Sequence, residues 1–151
     1  MIWRHAANMQ AIRILTDGTG MPDGPVTRQA DCFLFTVAVR NVRRAGDLLR
    51  RVAPGSSWSR IDVALNTFDS RVPHAKDLRD VLDHFDEYAV GKGNLQTPDG
   101  FLLNAWYERS ADTYRYNVGI SPARPLLTID VKDAFLAVDK LTSALASALE
   151  N

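Results

Sequence analysis

An apolar stripe at helical spacing runs from Val26 to Val52, and a strand-based fold cannot accommodate it. Ala30, Phe33, Leu34, Val37, Ala38, Val42, Ala45, Leu48, Leu49 and Val52 trace one face of a long helix. Thr27 is placed to cap its start, and Ala53-Pro54-Gly55 ends it. Other helices must cover such a stripe, and two candidates follow directly. Ser57–Arg71 directs Trp58, Ile61, Ala64, Leu65 and Phe68 inward, with Val72 just beyond, and Ser57 as its cap. His74–Tyr88 then carries Ala75, Leu78, Leu82, Phe85 and Ala89 at the same spacing. Pro73 suits its first turn, and Gly91 and Gly93 stop it. Short connections make successive helices antiparallel neighbours, so residues 26–90 read as three helices of an up-down bundle.

Beyond Gly91 the period changes. Residues 91–100 form a loop whose GKGN lacks the frame of a phosphate-binding P-loop. Phe101–Arg109, Tyr114–Ile120 and Leu126–Ile129 read as three short strands, with a turn at 110–113. Tyr116, Val118 and Ile120 alternate with polar or small neighbours, the pattern of a half-buried strand. Trp106, Tyr107, Tyr114 and Tyr116 fit either cross-strand pairs or a base-stacking platform. Asp130 then caps a last helix to Leu149, with Val131, Ala134, Phe135, Val138, Leu141, Leu145 and Leu149 on one face. At the other end, residues 1–16 read as a short helix with Ile2, Ala6, Met9 and Ile12 along it, although MQAIRIL also suits a strand. Residues 17–25 are a loop. The expected fold is mostly α: a four- or five-helix up-down bundle with a small antiparallel β-meander before its last helix. It forms one domain over 1–151, with an N-terminal segment (1–25), bundle helices (26–90), meander (95–130) and last helix (131–150).

A chain of 151 residues with 46% apolar content buries a core without staples. Its formal net charge is zero, so the overall balance points to neither nucleic acid nor membrane. Among the 18 basic residues, however, 14 are arginines, whose planar forks suit phosphate and carboxylate. Cys32 stands alone, so no intrachain disulfide forms and a reducing cytoplasm is the natural setting. It reads as a small core residue. No signal peptide or long apolar span is recognisable, so no membrane partner is expected. The scattered histidines at 5, 74 and 84 set no metal-ligand spacing, and no cofactor is expected.

Chemistry concentrates on His74–Tyr88. Residues four apart are neighbours on a helix, which places Asp80 beside His84 and His84 beside Tyr88. Arg79, Asp83 and Glu87 form a parallel row. Asp80 is placed to accept from a ring nitrogen of His84 and fix its tautomer. Arg79 and His84 point roughly 140° apart, so they share a groove only if a second helix or subunit closes it. Solvated ion pairs one turn apart explain the same charges. The helix over 26–52 offers a second candidate: Arg40, Arg43 and Arg44 make its polar face basic, either as a phosphate-binding surface or as a solvated one.

Within a bundle of this size, Arg79-Asp80-Val81-Leu82-Asp83-His84 resembles the R-x4-6-H motif of the HEPN family (higher eukaryotes and prokaryotes nucleotide-binding domains). The resemblance covers roughly 26–90 and 131–150; Asp80 stands where the family most often has asparagine. It implies a homodimer that brings two copies of this helix together. Active members are metal-independent endoribonucleases in which the ribose 2′-OH attacks the adjacent phosphate and leaves a cyclic phosphate end. By that resemblance His84 is the general acid or base, Arg79 steadies the phosphorane, Asp80 orients His84, and RNA is the substrate. Other relatives are non-catalytic binding modules or toxins held by a cognate protein partner.

Overall fold

The structure, a computed structural model, describes residues 2–15, 25–96, 104–109, 114–122 and 124–150. Most of the expected loop 17–25, the start of the first expected strand and the turn at 110–113 lie outside them. In chain order the elements are α1 (Ile2–Leu15), α2 (Pro25–Val52), a short 3-10 turn (Gly55–Ser57), α3 (Trp58–Arg71), α4 (Ala75–Asp83) and α5 (Phe85–Ala89). Strands β1 (Asn104–Arg109), β2 (Tyr114–Gly119) and β3 (Leu127–Asp130) follow, and α6 (Val131–Leu149) closes the chain. The protein is mostly helical with a small antiparallel sheet before the final helix, as the periodicity predicts. Six α-helices appear among the described residues where at most five are expected, because the helix predicted over 74–88 is two.

The long helix α2 is the hub: it packs against α1, α3, α4, α6 and β1. Helix α6 lies against α1, α2 and α3 and touches β2 and β3. The buried face of α2 matches the predicted one at Ala38 and Val42 but is rotated elsewhere. Cys32, Phe35, Ala38, Val39 and Val42 are buried, while Leu34, Leu48 and Val52 are 47%, 61% and 80% exposed. So many apolar residues line this helix that two adjacent stripes satisfy the same spacing. Gly46 favours the observed one, since a Cβ there would meet Leu65 Cδ2 at 2.6 Å and Leu145 Cδ1 at 3.3 Å. Its missing side chain lets α3 and α6 close on α2. In α1 the phase also differs: Ala7, Ala11 and Ile14 are buried, and Ile2, Met9 and Ile12 are exposed. Small alanines face the bundle there because α1 lies against both α2 and α6.

Two predicted caps are replaced. Helix α2 begins at Pro25, so Thr27 is already inside it; proline tolerates the first turn. Ser57 makes no side-chain cap bond to α3, where the 3-10 turn leads in instead. Trp58 is 43% exposed rather than inward, its indole N–H donating to the Ala53 carbonyl at 2.9 Å under the Arg50 guanidinium. Ile61, Ala64, Leu65, Phe68 and Val72 are buried as predicted, as is Cys32. Asp130 caps α6, its Oδ1 accepting from the Asp133 N–H at 3.0 Å.

In the sheet, β2 lies between β1 and β3, antiparallel to both. Tyr116, Val118 and Ile120 are buried as predicted, but Asn117 and Gly119 are buried too, so this stretch is covered on both faces rather than half-buried. Asn117 Oδ1 accepts from the Thr128 hydroxyl at 2.9 Å. Tyr107 stands opposite Tyr116, and Arg109 lies over the ring of Tyr114, its partner across the strands. Tyr116, only 3% exposed, is thus a cross-strand partner of Tyr107 and not part of an open stacking surface.

Candidate functional site: a helix break and a basic cleft

The segment richest in chemistry bends at its histidine. His84 has φ −115° and ψ 34°, outside the helical region, and serves as the last cap of α4 and the first of α5. Its backbone N–H still donates to the Asp80 carbonyl at 3.1 Å, after which the chain resets its phase. Positions that a continuous helix would bury are turned out, and the reverse. Phe85, predicted in the core, is 56% exposed; Tyr88, predicted on the polar face, is 1% exposed.

The charged side chains therefore find other partners than helical spacing predicts. Arg79 pairs with Asp83, one turn along, as expected. Asp80 Oδ2 accepts from Tyr88 Oη at 3.4 Å, while His84 Nδ1 lies 3.6 Å from Glu87 Oε1. The expected orienting bond from Asp80 to His84 is thus replaced by a bond to Tyr88. Both His84 and Glu87 are half exposed, so their contact is a weak, screened one. Tyr88 is tied more firmly: its Oη accepts from the Leu95 N–H at 3.2 Å. Gln96 closes the knot, its side chain donating to the Tyr88 carbonyl at 2.9 Å and accepting from the Gly93 N–H at 2.8 Å. Burial, with the nearby Asp80 carboxylate adding to it, pushes the Tyr88 phenol up. Tyr88 is a packing anchor.

A second place gathers charge in a more enclosed setting. Between α2, α3 and α4 lies a cleft of about 240 Å3 lined by Arg40, Arg43, Asp47, Asp69 and Lys76, with Phe68, Val72 and Ala75 behind them. Arg43 is fully engaged with acids: its Nε and Nη2 donate to the two oxygens of Asp69 at 2.8 Å, and its Nη1 to Asp47. The hydrogen bonds it donates to Asp69, outweighing the cost of burial, push the Arg43 guanidinium up. Arg40 is half-buried in the same wall and has no ion-pair partner among the described residues. Burial and the neighbouring charge of Arg43 pull it below the usual guanidinium range. Lys76, at the start of α4, completes the basic side.

Of the residues predicted for phosphate, the structure brings Arg40 and Arg43 into one cleft and leaves Arg44 exposed on α2, outside the residues that line it. Sequence reasoning missed Lys76 and Asp69. The i, i+4 spacing of Arg43 and Asp47 was the only visible signal of this cluster, since Asp69 and Lys76 arrive from other helices. Among the described residues no group of histidine, cysteine, aspartate or glutamate is placed to hold a metal ion. No described helix is long and apolar enough to cross a membrane. Compared with family models, curated protein sequences and solved structures, the chain has no match.

Proposed function

We propose that this protein is a HEPN-like binding module that takes a phosphate group of its ligand, single-stranded RNA first among candidates, in the cleft between α2, α3 and α4. The observation that carries this reading is Arg40: a guanidinium drawn partly out of water, beside Arg43, with no carboxylate of its own. An oxyanion there restores the lost solvation and relieves the repulsion between the two arginines, and a charge-assisted bond to phosphate is a strong one. Asp69 and Asp47 hold the Arg43 fork in place and take up its charge, which leaves Arg40 and Lys76 to meet the phosphate. Charge on the cleft wall meets a phosphate whatever base it carries, which makes recognition independent of sequence. Fluorescence anisotropy with a short labelled single strand in EDTA tests this. Arg40→Ala is expected to weaken binding at least about tenfold and to flatten its salt dependence. Equal binding by Arg40→Ala and the unaltered chain would sink the reading.

A second reading, favoured by the exposed Phe85 beside His84, is a metal-independent endoribonuclease. A second copy covering Phe85 would bring two sets of Arg79 and His84 into one groove, and one chain holds each of them against a separate carboxylate. That reading requires RNA cut in EDTA to cyclic phosphate ends, with activity falling about a hundredfold in His84→Ala.

A further inference from the structure

Helices α3 and α6 leave between them a groove of about 220 Å3 with the buried Phe68 and Leu141 in its floor and the exposed Val63, Arg60, Arg71 and Lys140 around it. The three cations are exposed, and none has an ion-pair partner among the described residues. Arg60 to Arg71 covers three turns of α3, about 16 Å of helix, enough to seat a short helical segment. Val63 within it is 63% exposed. An apolar trough with an uncompensated basic rim calls for an occupant that is apolar at its centre and acidic at its edge.

The chain carries such a segment on its own surface. The break at His84 turns Phe85 outward, 56% exposed, with Val90 nearby at 63%. Asp83, Asp86 and Glu87 surround them, all exposed, and Asp86 has no cation partner among the described residues. The formal net charge of the chain is zero, so no overall repulsion keeps two copies apart. We infer that the α5 turn of one copy docks Phe85 into the α3–α6 groove of a second copy, with Asp86 and Glu87 facing Arg60, Arg71 and Lys140. The contact joins two different faces, so it is head-to-tail: each copy retains a free groove or a free turn, and association continues unless the ring closes. It shares Phe68 with the cleft proposed for phosphate, but none of its charged residues lines that cleft.

Mixing two disabled variants of the full chain tests the inference by sedimentation velocity. The groove variant is Arg71→Glu with Lys140→Glu; the turn variant is Phe85→Ser with Asp86→Lys. All four positions are exposed, and thermal melts followed by circular dichroism check that each variant folds. Should a double variant melt early, Lys140→Glu and Asp86→Lys alone carry the same test. The unaltered chain is expected to gain mass with concentration and to lose it with added salt. Each variant alone is expected to associate at least about tenfold more weakly. Mixed in equal amounts they are expected to form a one-to-one dimer, because the intact turn of one fits the intact groove of the other. A two-fold pairing through α5, or an acidic helix of another protein as the true occupant, gives a different result. In the first case the groove variant associates as the unaltered chain does; in the second the unaltered chain stays a monomer. Either overturns the inference, as does a mixture that gains nothing.

Discussion

Tyr88 Oη donates to Asp80 Oδ2 at 3.4 Å across the helix break at His84, joining two residues that a continuous helix would set two turns apart. The bond is long and contributes little by itself. Its meaning lies in where it puts the ring. With Tyr88 turned inward, the segment 91–96 wraps back over it, and α4, α5 and that segment share one anchor.

The first expectation concerns that anchor. Tyr88→Ala removes a buried ring and should cost about 3–5 kcal/mol of stability. Phe85→Ala, three residues earlier and exposed, should cost less than about 1 kcal/mol. Urea midpoints in the opposite order would show that the chain passes through His84 as one uninterrupted helix.

Gly93 leads to a second expectation. A Cβ at this position would run into the Tyr88 ring, which is held at both ends and cannot swing aside. Gly93→Ala should therefore destabilise the chain by about 1–3 kcal/mol, as overpacking does. Hydrogen exchange of the Leu95 amide, which bonds to Tyr88 Oη, should speed up in the same variant. An unchanged melt together with unchanged exchange would count against the packing described.

Arg40 and Arg43 should separate cleanly into binding and stability. Arg43→Ala leaves Asp47 and Asp69 without their shared cation and should cost about 1–2 kcal/mol, less in high salt because both acids are half exposed. Arg40→Ala breaks no ion pair and should shift stability by no more than about 0.5 kcal/mol. Denaturation curves on both variants decide this, and a larger loss for Arg40→Ala would make it a structural residue.

Alkaline pH should loosen the fold through Tyr116. Burial on β2, with the Cys32 sulfur adding to it, pushes this phenol up to about 12. The folded chain keeps a proton that the unfolded chain releases near pH 10. Its contribution to stability is complete below about pH 10 and is lost as the pH rises to about 12, a change of about 2–3 kcal/mol. Tyr88, pushed the same way, adds to the loss. Urea midpoints taken across that window should fall, and fall less in Tyr116→Phe. A flat profile would mean that Tyr116 meets water in the folded chain.

Some of this was decided by local chemistry, and there the sequence was legible. Asp130 caps α6 because a short carboxylate reaches the N–H three residues on, a contact needing nothing from the rest of the chain. The stripe Ile61, Ala64, Leu65, Phe68 is buried because α3 has one apolar face and no rival. Tyr116, Val118 and Ile120 likewise share one face of a strand by alternation alone and are all buried, although the opposite face at Asn117 is covered as well.

Choices between near-equal alternatives belonged to the tertiary structure. Helix α2 has apolar residues over much of its circumference, so the face that turns inward depends on where Leu65 and Leu145 meet Gly46. His84 carries no proline or glycine signal, yet the helix breaks there, and that break exchanges Phe85 for Tyr88 in the core. The basic cleft was invisible for a related reason: Arg40 and Arg43 come from α2, Asp69 from α3 and Lys76 from α4. Spacing along a chain fixes which residues share a face of one element; which faces meet, and which charges they then enclose, is fixed only when the elements pack.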